Sequence, residues 1–305
     1  MTHTAQLARS AAHWQLRSRT IQLGRRTLVM GIVNLTPDSF SDGGSFPTPQ
    51  HAIDHALRLL DEGADLLDLG AESTRPGSHA GDPNAAVTAA EEQSRLLPVL
   101  EGILRARPGT PVSIDTYKAA TARAALATGA EIINDVSGFT WDPDMPAVCA
   151  ESACGLVLMH TRGRPDEWST QSQLAPDAVL ASVRSGLSDS LAAAARAGVD
   201  ADRIVLDPGY GFGKRGDENY ALLARQRDLL SLGRPLLAGL SRKSFLGQTL
   251  AEFHAGQPAP ATAREAASIA ALVAAILHGA SIVRVHNARP AAEAARMADA
   301  ILASR

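Results

Sequence analysis

Asn34, Asp68, Asp115, Asn134, Asp207, Lys243, Arg284 and His286 each stand at or just past the end of a short apolar run. Glu72, Asp135, His160 and Ser241 occupy similar positions. A charge at the end of an apolar strand costs several kcal/mol unless it is paired or engaged by a ligand. One or two such residues would pass as structural ion pairs. A carboxylate, amide or base at nearly every run end points instead to a binding site.

Two chemistries separate. Arg284 and His286, two apart on a strand, share a face. A forked cation beside an imidazole suits an anion, most simply phosphate; the competing reading is an Arg paired with a neighbouring carboxylate. Ser241-Arg242-Lys243-Ser244 follows an apolar run and opens a helix, where N–H groups favour an anion. An exposed basic turn is the plainer alternative there. Asp115, Asn134 and Asp207 form a different class, acceptors and an amide on three strands. They suit the edge of a flat heterocycle with several N–H and C=O groups. The run Asp207-Pro-Gly-Tyr-Gly-Phe-Gly-Lys214 adds glycines and rings able to wrap its plane. His160 has the chemistry of a base or metal ligand, but with no second histidine near it in sequence it reads as a satisfied core histidine or one supporting the site from behind.

The elements that must position these residues recur regularly. Apolar runs lie at 28–33, 66–69, 112–114, 132–135, 156–159, 204–206, 236–240 and 282–285. Segments with apolar spacing near 3.6 lie between them, at 52–61, 85–106, 118–127, 143–153, 178–195, 220–230, 262–278 and 290–304. Pairs such as Gly63-Ala64, Gly129-Ala130 and Gly279-Ala280 end helices and turn the chain back. Eight βα units imply an α/β fold, a single-domain (β/α)₈ TIM barrel whose site lies at the C-terminal ends of its strands. A doubly wound open sheet is the fallback, because the pattern does not show closure. No G-x-G-x-x-G follows the first run and no Walker loop is present, which argues against a nucleotide. The first run passes into Asn34, Thr36, Asp38, Ser39, Ser41 and Asp42 and closes on Gly43-Gly44. That reads as a ligand site beneath a mobile lid, or as a polar turn.

Composition narrows the partner. The 305 residues are 45% hydrophobic and 20% charged, with a net charge of -3. This is the profile of a soluble globular protein without a field for nucleic acid or anionic lipid. No apolar run is long enough for a membrane span, so a small molecule is expected. Cys149 and Cys154 read as buried free thiols of a reducing compartment. Residues 1–37 contain no acid and carry Arg9, Arg17, Arg19, Arg25 and Arg26, as a transit peptide would. However, 14–23 alternates and runs to Gly24, which fits a β-hairpin. The expectation is a hairpin extension over 1–27, a barrel over 28–305, and a cytoplasmic protein.

The chain closely resembles the dihydropteroate synthases. The blocks are GIVNLTPDSFSDGG (31–44), ESTRPG (72–77), SIDT (113–116), IINDVSG (132–138), LMH (158–160), LDPGYGFGK (206–214), GLSRKSFLG (239–247) and IVRVH (282–286). The resemblance implies a TIM barrel that joins p-aminobenzoate to 6-hydroxymethyl-7,8-dihydropterin diphosphate with Mg²⁺, by an SN1-like displacement. It implies Asp115, Lys243, Arg284 and His286 as the catalytic set. Asp115, Asn134, Asp207 and Lys243 would hold the pterin edge, with Met159 and Phe212 near its plane and Gly239 beside it. Asn34 would help hold Mg²⁺ and diphosphate, while Arg284 and His286 grip the diphosphate. Thr74, Arg75 and Ser241 would border the p-aminobenzoate pocket, under loops bearing Asp38, Phe40 and Pro76. A homodimer through late-barrel helices and a sulfonamide target are also implied. Asn287, Tyr117 and Thr161-Arg162 depart from the family pattern. The alternatives are a non-catalytic pterin-binding paralogue and a pterin-dependent corrinoid methyltransferase; the latter would have no use for the SRKS and TPDSFSDGG elements.

Overall fold

The computed structural model describes residues 12–36, 48–75, 77–82 and 84–304. Strands β1 (Ala12–Gln15) and β2 (Thr20–Leu23) pair antiparallel as a small hairpin. Eight parallel strands follow: β3 (Leu28–Asn34), β4 (Leu66–Gly70), β5 (Val112–Asp115), β6 (Ile132–Asp135), β7 (Gly155–Met159), β8 (Ile204–Asp207), β9 (Leu236–Ala238) and β10 (Ala280–Val285). They close into a barrel in that order, with β10 hydrogen-bonded to β3. The closed sheet decides against the open alternative.

Helices return the chain between strands: α1 (Pro49–Asp61), α2 (Ala89–Ala106), α3 (Ala119–Thr128), α4 (Met145–Ser152), α5 (Pro176–Ala197), α6 (Gly216–Ala224), α7 (Ser244–Thr249), α8 (Glu265–Leu277) and α9 (Ala288–Ala303). Several boundaries differ from the periodicity, and three of them bear on the layout. α2 starts at Ala89 because the Thr88 hydroxyl accepts from the Glu91 N–H and caps it. The apolar stretch over 220–230 is split, with α6 ending at Ala224 and a 3₁₀ segment over Gln226–Leu232. β9 leaves the sheet after Ala238, so Gly239 and Leu240 belong to the mouth and not to the strand.

Strand parity sorts the core into two bodies. Leu67, Leu69, Ile114, Ile133, Leu156, Leu158 and Leu206 pack outward on the helices. Leu28, Met30, Leu66, Ile132, Val157, Val205, Leu237 and Ile282 pack inward as a separate cluster. Trp14, Leu16 and Leu23 of the hairpin complete that cluster and plug the N-terminal end of the barrel. The Trp14 indole donates to the Arg203 carbonyl at 2.9 Å. A Cβ at Gly155 would lie 2.4 Å from the end of the Leu16 side chain, so a larger residue there would displace the plug. Among the described residues no helix is long and apolar enough to cross a membrane.

The plug gives a stability prediction. Trp14 is fully buried, so Trp14→Ala should cost about 3–5 kcal/mol in urea unfolding. A loss under about 1 kcal/mol would mean that the hairpin only rests against the barrel.

Candidate active site

The inward parity that builds the plug also builds the site, one pleat higher. Leu66 is followed two residues later by Asp68, Ile132 by Asn134, Val205 by Asp207 and Ile282 by Arg284. Asp68 is completely buried and accepts from Asn134 Nδ2 at 3.0 Å and from Arg284 Nε at 2.5 Å. The other arm of Arg284, Nη2, donates to Asp115 at 2.7 Å. One guanidinium therefore ties β10 to β4 and β5. Both readings of Arg284 meet here, because it is ion-paired and still lines the mouth.

Burial pushes Asp115 up to about 7, against the pull of Arg284 and with help from Asp68. Burial also raises Asp207, whose Oδ1 accepts from the Gly209 N–H at 2.7 Å. Lys243 is pushed down to about 8 by burial, although Asp207 pulls it back up. Its Nζ lies 4.0 Å from the Phe212 ring centroid. Gly239 has no side chain to cover this floor; a Cβ there would face Asp207 and Arg284 at 3.8 and 3.9 Å. Met159 is buried with Ala80, Tyr117 and Val136, and Phe212 packs against that group. Trp168 meets Phe212 edge-on, with centroids 5.2 Å apart.

The anion side gathers around His286. Its Nδ1 lies 3.0 Å from the Ser241 hydroxyl. Burial, then the positive charges of Arg242, Arg284, Lys243 and Arg75, push its pKa down to about 3. The positive charge on this side of the mouth, beside a neutral imidazole, favours an anion. Asn34 ends β3, half buried at the same rim. Thr74 and Arg75 lie in the loop after β4. Phe40, Asp38 and Pro76 lie outside the described residues.

Two run-end residues leave the site. Asp135 points away from the barrel interior and accepts from the Ser137 and Phe139 N–H groups, capping its own turn. Glu72 pairs with Lys118 and accepts from the Val87 N–H. His160 is a core residue with its pKa lowered to about 2, chiefly by burial, but it is not a satisfied one, since its Nδ1 has no hydrogen-bond partner among the described residues. Three features were missed in the sequence. Arg242 adopts a left-handed φ of 59°, held by the Ser268 hydroxyl, Arg264 and Asn287. Lys214 donates to the carbonyls of His160, Gly209 and Phe212, knotting the glycine loop. Asp68 is the hub of the site, a role visible only in its parity with Leu66. A cavity of about 420 Å³ opens beside the mouth, lined by Gly77, Trp168, Gly211, Ser244, Phe245 and Gln248.

The family model described as pterin binding enzyme matches residues 30–286. The chain is 42% identical over 277 residues to dihydropteroate synthase of Bacillus subtilis, covering 91% of this chain and 89% of that protein. The chain belongs to the dihydropteroate synthase family. Dihydropteroate synthase of Xanthomonas albilineans has been solved with 4-aminobenzoic acid, at 39% identity and TM-score 0.83, over 96% of this chain and 99% of that one. The same enzyme in complex with 7,8-dihydropteroate gives 37% identity and TM-score 0.80, over 95% and 99%. A mitochondrial folate synthesis bifunctional protein of Arabidopsis thaliana is 41% identical over 292 residues, 92% of this chain. The chain spans about half of that longer relative, 50% of its length. The residues described at the mouth, from Asn34 to His286, fall inside the matched region.

The depressed pKa of His286 fixes a sign. With a folded value of about 3 and an ordinary value near 6.5, the unfolded chain gains a proton first as pH falls. Stability from this group is therefore full above about pH 6.5 and is lost as pH falls towards 3. In an NMR titration the ring should stay neutral down to about pH 5, and added pyrophosphate should raise its pKa. Protonation near pH 6.5 in the free protein would contradict a ring buried beside positive charge.

Proposed function

We propose that this chain condenses 6-hydroxymethyl-7,8-dihydropterin diphosphate with p-aminobenzoate, releasing 7,8-dihydropteroate and pyrophosphate. The observation that carries the reading is the meeting of two sets through Arg284. On one side stand the acceptors and amide Asp115, Asn134 and Asp207, the last two buried; on the other stands His286, in the positive field of Arg242, Arg284 and Lys243. A substrate that is a heterocycle at one end and a diphosphate at the other matches that division. The B. subtilis relative and the X. albilineans complexes support it.

In this reading Asp115, Asn134 and Asp207 bind the pterin edge, with Lys243 beside them and Met159 and Phe212 against the ring plane. Arg284 and His286 receive the diphosphate, with Lys243 close to both halves of the substrate. The bond between the pterin methylene carbon and the diphosphate oxygen breaks first, and its electron pair leaves with the diphosphate. Cations already fixed in place stabilise that charge without reorganising. Asp115 lies against the heterocycle and stabilises the cationic pterin left behind. The neutral arylamine then attacks the methylene carbon and loses a proton to solvent, so no strong base is needed. Thr74, Arg75 and Ser241 border the acceptor pocket and exclude water, which would otherwise capture the cation.

Mg²⁺ suits the donor chemistry. This ion is held by one or two protein oxygens plus substrate phosphates and water. The half-buried amide of Asn34 at the end of β3 offers such an oxygen. When bound, Mg²⁺ would neutralise charge on the departing diphosphate. A homodimer and a cytoplasmic setting go with the same reading. The supports are α8, whose Ile269, Val273 and Leu277 are only partly buried, and the free thiols Cys149 and Cys154.

Purified protein supplied with the dihydropterin diphosphate and Mg²⁺ should release pyrophosphate only when p-aminobenzoate is added, and should form dihydropteroate. Binding without turnover would instead make the chain a non-catalytic pterin binder. Asp115→Asn should slow turnover by about 100-fold or more while weakening pterin binding less than tenfold. Unchanged turnover would remove Asp115 from the mechanism.

A further inference from the structure

Tyr117 and Lys118 are adjacent residues in the turn between β5 and α3, and they hold opposite ends of one arc of chain. Lys118 forms an ion pair with Glu72, where the loop after β4 begins. Glu72 also accepts from the Val87 N–H at 3.0 Å, so the start of the loop is tied to its end. Tyr117 takes the far side, its hydroxyl accepting from the Gly81 N–H at 2.9 Å. The Lys118 ammonium lies 4.2 Å from the Tyr117 ring centroid, joining the two anchors.

The Tyr117 anchor is built into packing. Tyr117 is 7% exposed and Ala80 1% exposed, and both share a cluster with Val136 and Met159. Trp141 meets the Tyr117 ring edge-on at 5.0 Å. Gly81 sits at φ +82°, and a Cβ there would lie 3.0 Å from the Trp141 ring. The loop backbone therefore rests directly on that indole. A third tie runs from the Gly77 N–H to the Pro165 carbonyl at 3.2 Å. Thr74 and Arg75 lie on the arc between the two anchors. An arc held at both ends has fewer conformations to lose when a ligand arrives.

We propose that Tyr117 is a positioning residue of the reaction, which seats the loop after β4 so that Thr74 and Arg75 are preset at the arylamine pocket. The inference rests on the acceptor-side role of that loop in the reading above. Tyr117 touches neither substrate in this scheme and acts through Gly81.

The test is Tyr117→Phe, which removes only the hydroxyl that accepts from the Gly81 N–H and keeps the ring in its packing. Loss of one hydrogen bond of ordinary net strength should raise KM for p-aminobenzoate by about two- to tenfold. The affinity for dihydropterin diphosphate should stay within about twofold, and amide exchange at Gly81 should quicken by a factor like that in KM. A general loss of stability would move both substrates together. Equal weakening of both, or faster exchange at Gly81 with unmoved KM for p-aminobenzoate, would overturn the proposal. Failure of the wild-type chain to form dihydropteroate would sink the functional reading separately. Unchanged exchange at Gly81 would still overturn the seating, because that readout needs no turnover.

Discussion

A guanidinium held between two carboxylates is the interaction on which the rest of the mouth depends. Arg284 lies 216 residues from Asp68 and 169 from Asp115 in sequence, yet it bonds both. Only closure of the sheet brings β10 round to β3 and within reach of β4 and β5. Burying any one of these charges alone would be strongly unfavourable, and the pairing offsets that cost. Asp68 meets Arg284 and Asn134 together, so it sets the aim of one residue on the anion side and one on the heterocycle side. The site is preorganised by charge before any ligand enters.

The barrel divides its interior between two tasks. The lower layer is an apolar cluster, interrupted by the buried Ser113 of β5, and is sealed by Trp14, Leu16 and Leu23 from outside the barrel. The upper layer, one pleat away, carries the ionisable residues. A dry floor beneath them keeps their electrostatic interactions strong and moves the values of Asp115, Lys243 and His286 far from their ordinary ones. The plug thus serves the chemistry as well as the stability.

Much of this was legible in the chain. Eight apolar runs and the helical spacing between them marked the βα units, since parallel strands buried on both faces must be continuously apolar. Polar residues at the run ends marked the mouth, and a two-residue period put Arg284 and His286 on one face. Closure was not legible, because local periodicity carries no information on which strands become neighbours. For the same reason Asp68 looked like one station among several, and its contacts with Arg284 and Asn134 appear only when β4, β6 and β10 are arranged around one axis. Asp135 and Glu72 shared the run-end signature and went elsewhere. One faces the opposite side of its strand, and the other finds Lys118 across the loop. The left-handed backbone at Arg242 had no sequence signal, as it is imposed by Ser268, Arg264 and Asn287 from distant elements.

The most direct test is pyrophosphate binding by calorimetry to the wild-type chain and to Asp68→Asn, with folding checked in parallel. The substitution keeps size and shape but removes the charge that aims Arg284. If that buried pair sets the anion site, affinity should fall by about tenfold or more, as expected for loss of a charged hydrogen bond. Unchanged or tighter binding would contradict the account, because Arg284 would then be aimed by something other than Asp68.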